Sequence, residues 1–220
     1  YIERFGFDPK RLPENLSMAL GTASAPPLTM ARGFAVFANG GFRVDPYLIE
    51  RIVDSQGEVA YNANPSRACA NCPERIAEEF DLDLTNEDAT AAGALVADSP
   101  ATVTDSTSAD ASAVAVDAPA SADAGLRLAP RAIDARNAYL ITSLLMDVVK
   151  RGTGRKAMEL ERTDLAGKTG TTNEHRDAWF SGFNQTLVAT TWMGFDDFST
   201  LGDGEFAAKT ALPMWISFMG

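Results

Sequence analysis

This chain is organised around one strand-like segment, Leu165-Ala166-Gly167-Lys168-Thr169-Gly170-Thr171-Thr172. Lys168 carries a positive charge, and Thr169 and Thr171 alternate, so a strand directs both hydroxyls to one face. Gly170 lies between them and leaves the backbone open to a close approach by another group. One cation, two hydroxyls and a bare strand edge together predict a binding site for a carboxylate. The ordinary alternative is a solvated surface strand, in which Lys and Thr are common.

Two more strand-like segments follow closely. The predicted strands are 163–172, Asp177–Phe183 and Leu187–Phe195. The last two are separated by Asn184-Gln185-Thr186, and such a short turn favours an antiparallel meander. An apolar helix is predicted over 207–219 to pack on this sheet, and Pro213 either kinks it or marks its true start.

The first part of the chain combines helices with a hairpin. Tyr1–Gly6 is predicted to be the last turn of a helix, and Thr29–Ala38 is predicted to be helical. Two strands are predicted over Pro46–Val53 and Glu58–Tyr61, with a turn at 54–57 between them.

A second long helix is predicted after the middle of the chain. Asp134 is its predicted N-cap and Gly152 its predicted end. Its apolar residues fall on one helical face; they are Ile141, Leu144, Leu145, Val148 and Val149.

Charge separates an insert from the rest of the 220 residues. The chain has a formal net charge of −11, and residues 60–125 alone contain 12 acidic and two basic residues. This acidity argues against nucleic acid as a partner, because phosphates would be repelled. Low aromatic content predicts disorder over 96–125. The predicted organisation is a helical part with a hairpin (1–61), an acidic, partly disordered insert (62–128), and a helix with the strands and a last helix (129–220).

The hydrophobic pattern of the chain predicts no transmembrane helix. It lacks a run of about 18 apolar residues. The chain starts at Tyr1, within a predicted helical turn, and we expect it to be part of a longer protein.

Several blocks outside the insert, in their order, are similar to one family. They are Ala19–Thr22, Val36–Gly41, Val148–Gly154, Gly167–Asn173, Asp177–Gly182, Trp192–Asp197 and Ala211–Trp215. The chain resembles the C-terminal part of the transpeptidase domain in bifunctional class A penicillin-binding proteins, most closely the 1A type of Gram-negative bacteria. A lone Lys-Thr-Gly is a weak motif, whereas several blocks in family order are specific.

This resemblance implies an α+β fold, with a five-stranded antiparallel sheet between helices, of which this chain holds only the C-terminal part. It implies acyl transfer to a serine at the meeting point of three motifs, S-x-x-K, S-x-N and K-T-G. Only the third is in this chain: no serine is followed by lysine three residues later or by asparagine two residues later. The nucleophile and its lysine are therefore expected upstream, with no catalytic side chain here.

The resemblance also implies the role of each residue in the segment. Lys168 would bind the terminal carboxylate of the substrate, with hydroxyl donors from Thr169 and Thr171. The N–H of Thr171 would form half of an oxyanion hole, and such a donor can contribute about 3 kcal/mol in the transition state. Gly170 would let the substrate lie along the strand edge as an added strand.

The implied partners are peptidoglycan stem peptides, β-lactam antibiotics and the upstream half of the same protein. The implied location is the periplasmic face of the bacterial inner membrane, with membrane attachment only through an N-terminal anchor outside this chain. No cofactor is implied. A periplasmic location also favours a local disulfide between Cys69 and Cys72, whereas in a reducing cytosol their C-x-x-C spacing would suggest redox or metal chemistry.

Other residues give weaker signals. His175 is the one histidine, and a solvated loop histidine is a commoner role than a catalytic one. No metal site is predicted, because two cysteines and one distant histidine are too few ligands. Trp179, Trp192 and Trp215 are predicted to pack in the core or on the sheet.

Two other functions fit the same residues. The chain could belong to a carboxypeptidase or β-lactamase of the same superfamily, although the Trp192–Asp197 block and the glycines after Ala38 favour the transpeptidase. It could also be an inert fragment or an interaction module, because it lacks a nucleophile.

Overall fold

The computed structural model describes residues 1–72 and 127–220. The disorder predicted for 96–125 lies outside the described residues. The chain divides into two compact units, of which the first contains Tyr1–Leu48, Pro65–Cys69 and 127–220, and the second contains Ile49–Asn64. This division falls before the hairpin, whereas the predicted boundary at residue 62 falls after it.

The first unit is built on a three-stranded antiparallel sheet. Its strands are β3 (Ala166–Thr171), β4 (Asp177–Phe183) and β5 (Val188–Gly194), in the order β3-β4-β5. The register pairs Lys168 with Ser181 and Trp179 with Trp192. The α+β class with an antiparallel sheet is therefore confirmed, and so is the meander.

Helices cover this sheet. They are α1 (Pro27–Ala38), α2 (Ala135–Arg151) and α3 (Ala211–Met219). Pro27 is the first residue of α1, where its missing N–H costs no hydrogen bond. Asp134 caps α2 as predicted, because its side chain accepts from the N–H of Arg136 at 2.8 Å. Pro213 lies in the first turn of α3 and so marks the true start of that helix.

The core lies between β4 and α3. Phe180 and Trp215 are fully buried, with ring centroids 4.9 Å apart in an edge-to-face arrangement. The indole N–H of Trp215 donates to the carbonyl of Ala189 at 3.1 Å, so the buried polar atom has a partner. Trp179 and Trp192 pack against each other on the sheet at 6.0 Å, as predicted for packing residues.

The predicted apolar face of α2 is only partly buried. Val149 lies in the core, while Leu144 is 61% exposed. Leu145 and Val148 are half-buried. The period of the helix is thus correct, but part of its apolar side is uncovered in the described residues.

The chain before α1 forms short 3₁₀ turns. Ile2–Phe5 is one of them, and Gly6 ends it with φ 89°. The predicted stop at Gly6 is therefore correct, although the turn is 3₁₀ in place of α-helical.

The second unit contains a hairpin of β1 (Arg51–Val53) and β2 (Val59–Asn62). Asp54 makes the turn, since its carboxylate accepts from the N–H groups of Gln56 and Glu58 at 2.8 and 2.9 Å. The predicted first strand, Pro46–Val53, is too long. The last hydrogen bond of the hairpin runs from the N–H of Ala63 to the carbonyl of Glu50 at 2.9 Å, and Asn64, which follows, has a positive φ of 40°.

Candidate functional site

The predicted site lies on an edge strand. In the described part of the chain β3 pairs only with β4, so its other edge has no strand partner. Ala166 and Gly167 are buried, whereas Lys168 and Thr171 are exposed and Thr169 and Gly170 are half-buried. The strand therefore runs from the core to the surface over the Lys-Thr-Gly-Thr segment.

Backbone alternation shows which groups face the open edge. The N–H of Thr172 donates to the carbonyl of Asp177 at 3.1 Å and so points towards β4. Successive N–H groups in a strand point to opposite edges, so the N–H of Thr171 is directed away from β4. The open edge therefore presents a backbone donor at the position where the resemblance implied one.

Lys168 places its positive charge at the same edge. Its ammonium donates to the carbonyl of Thr169 at 2.7 Å, which bends the side chain along the strand. An ammonium has three donors, so two are left for other acceptors. Among residues 1–72 and 127–220, no carboxylate forms an ion pair with Lys168. The charge is thus held in place and is open to an anion.

The two threonine hydroxyls lie on one face, as predicted, but each already has a partner. Thr169 is paired across the strands with Phe180 and Thr171 with Ala178, so both share the face of those core residues. The hydroxyl of Thr171 accepts from the N–H of Ala207 at 3.1 Å. The hydroxyl of Thr169 lies 2.6 Å from that of Thr153. Each side chain still has a free hydrogen-bonding position, because a hydroxyl can donate once and accept twice.

Neither partner was predicted from the sequence. Ala207 contributes its backbone N–H, and every residue except proline has that group, so the sequence does not mark Ala207 as a partner. Thr153 precedes β3 by more than a dozen residues, and its only signal was its place in the Val148–Gly154 block.

Gly170 has a packing role that the sequence reasoning missed. A Cβ added there would lie 3.3 Å from the Cβ of Trp179, its partner across the strands. This contact is tighter than most, so the absence of a side chain leaves room for the tryptophan. Because Gly170 has no side chain, none of its own atoms covers its backbone on that face. This agrees with the predicted close approach of a ligand.

The turn after β3 is anchored through its backbone. Glu174 and His175 have positive φ angles of 61° and 52°, which are unusual for residues other than glycine. The carbonyl of His175 accepts from the N–H of Leu201 at 2.8 Å. The carbonyl of Glu174 accepts from the hydroxyl of Thr200 at 2.8 Å. The hydrogen bonds of this turn therefore hold its strained backbone. His175 lies in this turn, and its role as a solvated loop residue stays a prediction.

An ion pair fixes the approach to β3. Arg162 donates to Asp164 through two N–H groups, at 2.9 and 2.8 Å. These bonds hold the pKa of the Asp164 carboxyl below its ordinary value, and the N–H of Gln185 adds to the effect, although burial acts in the opposite direction. The carboxylate thus links the entry of β3 to the turn between β4 and β5.

Possible metal ligands and the two cysteines were predicted to have no shared site. Residues 1–72 and 127–220 contain no group of three or more His, Cys, Asp or Glu side chains that could hold a metal ion. Cys69 and Cys72 are both disulfide-bonded in the structure. Within the same ranges, no helix has the length and apolar character needed to span a bilayer.

Comparison with known sequences gives one consistent result. A family profile described as "Penicillin binding protein transpeptidase domain" matches residues 3–93. Penicillin-binding protein 1A of Pseudomonas aeruginosa is 47% identical over 220 residues, which is 100% of this chain and 25% of that protein. Penicillin-binding protein 1A of Neisseria lactamica is 36% identical over 219 residues, or 100% of this chain and 20% of that protein. The chain thus spans a quarter or less of these relatives.

Comparison with solved structures agrees. A crystal structure of penicillin-binding protein 1A from Haemophilus influenzae superposes with a TM-score of 0.72 at 34% identity, covering 99% of this chain and 29% of that one. The penicillin-binding protein PonA1 from Mycobacterium tuberculosis matches with a TM-score of 0.60 at 18% identity, covering 94% of this chain and 40% of that one, and shares the fold.

Proposed function

This chain belongs to the transpeptidase region of the penicillin-binding protein 1A family, and from this membership we propose that it forms one wall of a serine acyl-transfer site that crosslinks peptidoglycan stem peptides. The observation that carries the proposal is the open edge of β3. That edge presents the ammonium of Lys168 and the outward N–H of Thr171 within one four-residue segment.

Each group has a distinct part in the proposed reaction. The ammonium of Lys168 binds the terminal carboxylate of the stem peptide through charge-assisted hydrogen bonds. Hydroxyls of Thr169 and Thr171 add donors to the same carboxylate. The N–H of Thr171 stabilises the oxyanion that forms when the serine attacks the carbonyl, which lowers the barrier because the donor is already in place. The peptide lies along β3 as an added strand.

The attacking serine is supplied by another part of the protein. No serine of this chain begins an S-x-x-K or S-x-N motif. The proposed partner is the upstream half of the same protein, and the exposed apolar side of α2 supports it. Tyr139, Leu140 and Leu144 on that helix are 73%, 58% and 61% exposed, which is unusual for apolar residues at helical spacing.

β-Lactam antibiotics are proposed to acylate the same serine, because they carry a carboxylate and a reactive carbonyl as the stem peptide does. The proposed location is the periplasmic face of the inner membrane. The disulfide of Cys69 and Cys72 supports an oxidising compartment.

Replacement of Lys168 by alanine in the intact protein tests this function. We expect Lys168→Ala to slow acylation by a fluorescent penicillin by about 10- to 100-fold, which corresponds to one lost charged hydrogen bond. Lys10→Ala changes another exposed lysine, in the short turn Pro9–Arg11; it is the matched control and should label at the wild-type rate. Labelling of Lys168→Ala at the wild-type rate would remove Lys168 from the site.

A further inference from the structure

The hydroxyls of Thr153 and Thr169 form a close pair at the site. Their oxygens are 2.6 Å apart, which is a normal length for a hydrogen bond between hydroxyls. Thr153 belongs to the loop after α2 and is exposed, whereas Thr169 is half-buried on β3. The pair therefore joins this loop to the ligand-facing strand.

Two glycines fix the position of Thr153. The N–H groups of Gly152 and Gly154 both donate to the carbonyl of Val148, each at 3.0 Å. A Cβ on Gly152 would lie 2.9 Å from backbone atoms of Val148, and one on Gly154 would lie 3.4 Å from the ring of Phe180. A side chain at Gly152 would clash with that backbone, whereas one at Gly154 would only be in close contact with its neighbours. The loop is thus held against the end of α2, with Thr153 directed at β3.

Either hydroxyl of the pair can be the donor, and the direction decides which of the two protons stays free. Two hydroxyls have two protons, and one of them lies between the oxygens. When Thr153 donates to Thr169, the proton of Thr169 is free to point at a third group. Hydrogen bonds in a chain polarise one another, so this donation also makes Thr169 a stronger donor.

The basic residues near Thr153 in the sequence favour an anion as the third group. Four basic residues flank Thr153 in the sequence and are all exposed; they are Lys150, Arg151, Arg155 and Lys156. Arg151 is paired with Asp147. Lys150, Arg155 and Lys156 form no ion pair within the described residues, and together with Lys168 at the strand edge they favour a negatively charged ligand group.

We propose that Thr153 is a positioning residue for the carboxylate of the substrate. It donates to Thr169, which in turn aims its own O–H at that carboxylate. This inference rests on the proposed function and adds to it a residue outside the Lys-Thr-Gly-Thr segment.

The test compares Thr153→Val, Thr153→Ser and Thr169→Val in the intact protein. Valine has the shape of threonine but cannot donate, so Thr153→Val should reduce acylation efficiency with benzylpenicillin by about fivefold. The loss should fall on ligand binding and not on the rate constant of acylation. Thr153→Ser should restore the efficiency, and Thr153→Val should add no further loss in the Thr169→Val background.

A ligand without the charge separates positioning from a structural role. The methyl ester of benzylpenicillin lacks the carboxylate, so Thr153→Val should react with it as the wild type does. Thr163→Val, at an exposed position before β3, is the matched control and should leave both ligands unaffected. Equal losses for acid and ester, or no rescue by serine, would overturn the inference and leave the proposed function standing. A wild-type protein that penicillin does not acylate would overturn both.

Discussion

At the scale of the residue, the proposed site depends on side chains that keep free hydrogen-bond donors after they have formed bonds within the fold. The ammonium of Lys168 gives one donor to the carbonyl of Thr169 and keeps two. The hydroxyl of Thr171 accepts from Ala207 and keeps its own proton. Internal hydrogen bonds therefore orient these side chains and still leave donors free for a ligand. Such prior orientation reduces the entropy that is lost when a ligand binds.

Asp164 gives a pH-dependent prediction at this scale. Its pKa is lowered in the folded state, so its contribution to stability is present above the unfolded pKa of about 3.9 and is lost as the pH falls through the lowered folded pKa. Asp164→Asn should therefore reduce the melting temperature of the intact protein at neutral pH.

The difference between wild type and Asp164→Asn should shrink as the pH is lowered below 4. Asp203→Asn, at an exposed position, is the control and should melt as the wild type does. A difference of constant size between pH 7 and pH 3 would show that the Asp164 charge does not stabilise the fold.

At the scale of the element, the sequence predicted most of the structure that builds the site. The second strand, Asp177–Phe183, has the predicted bounds, because turn residues lie directly before and after it. The predicted strand from Pro46 was too long, since the point at which pairing in a hairpin stops leaves no mark in the periodicity. Thr153 was missed as a partner because its contact with Thr169 is set by two glycines and the end of α2, a tertiary arrangement without a local pattern.

The packing of α3 on the sheet yields a stability prediction. Trp215 is fully buried against Phe180 and donates to Ala189. Trp215→Ala should lower the free energy of unfolding of the intact protein by about 3–5 kcal/mol, because it leaves a cavity and an unpaired carbonyl. Denaturant unfolding of the two proteins measures this change.

Met214 on the same helix provides the matched control. It is 42% exposed, so Met214→Ala should change the stability by no more than about 0.5 kcal/mol. A similar loss for both variants would mean that α3 does not pack through Trp215.

At the scale of the whole molecule, the segments on either side of residues 68–126 are hydrogen-bonded to each other within the first unit. The N–H of Arg67 donates to the carbonyl of Arg127 at 2.8 Å, and the N–H of Ala129 donates to the carbonyl of Arg67 at 2.9 Å. The two ends of the intervening sequence are thus held side by side. This arrangement is expected of an insertion in a domain, since it leaves the path of the flanking chain unchanged.

We propose that this chain holds the carboxylate and the oxyanion while another part of the protein attacks. The most direct measurement is to label the intact protein with a fluorescent penicillin, digest it and identify the labelled peptide. We predict that the label lies outside residues 1–220, on a serine that is followed by lysine three residues later. A label on any residue of this chain would contradict the account.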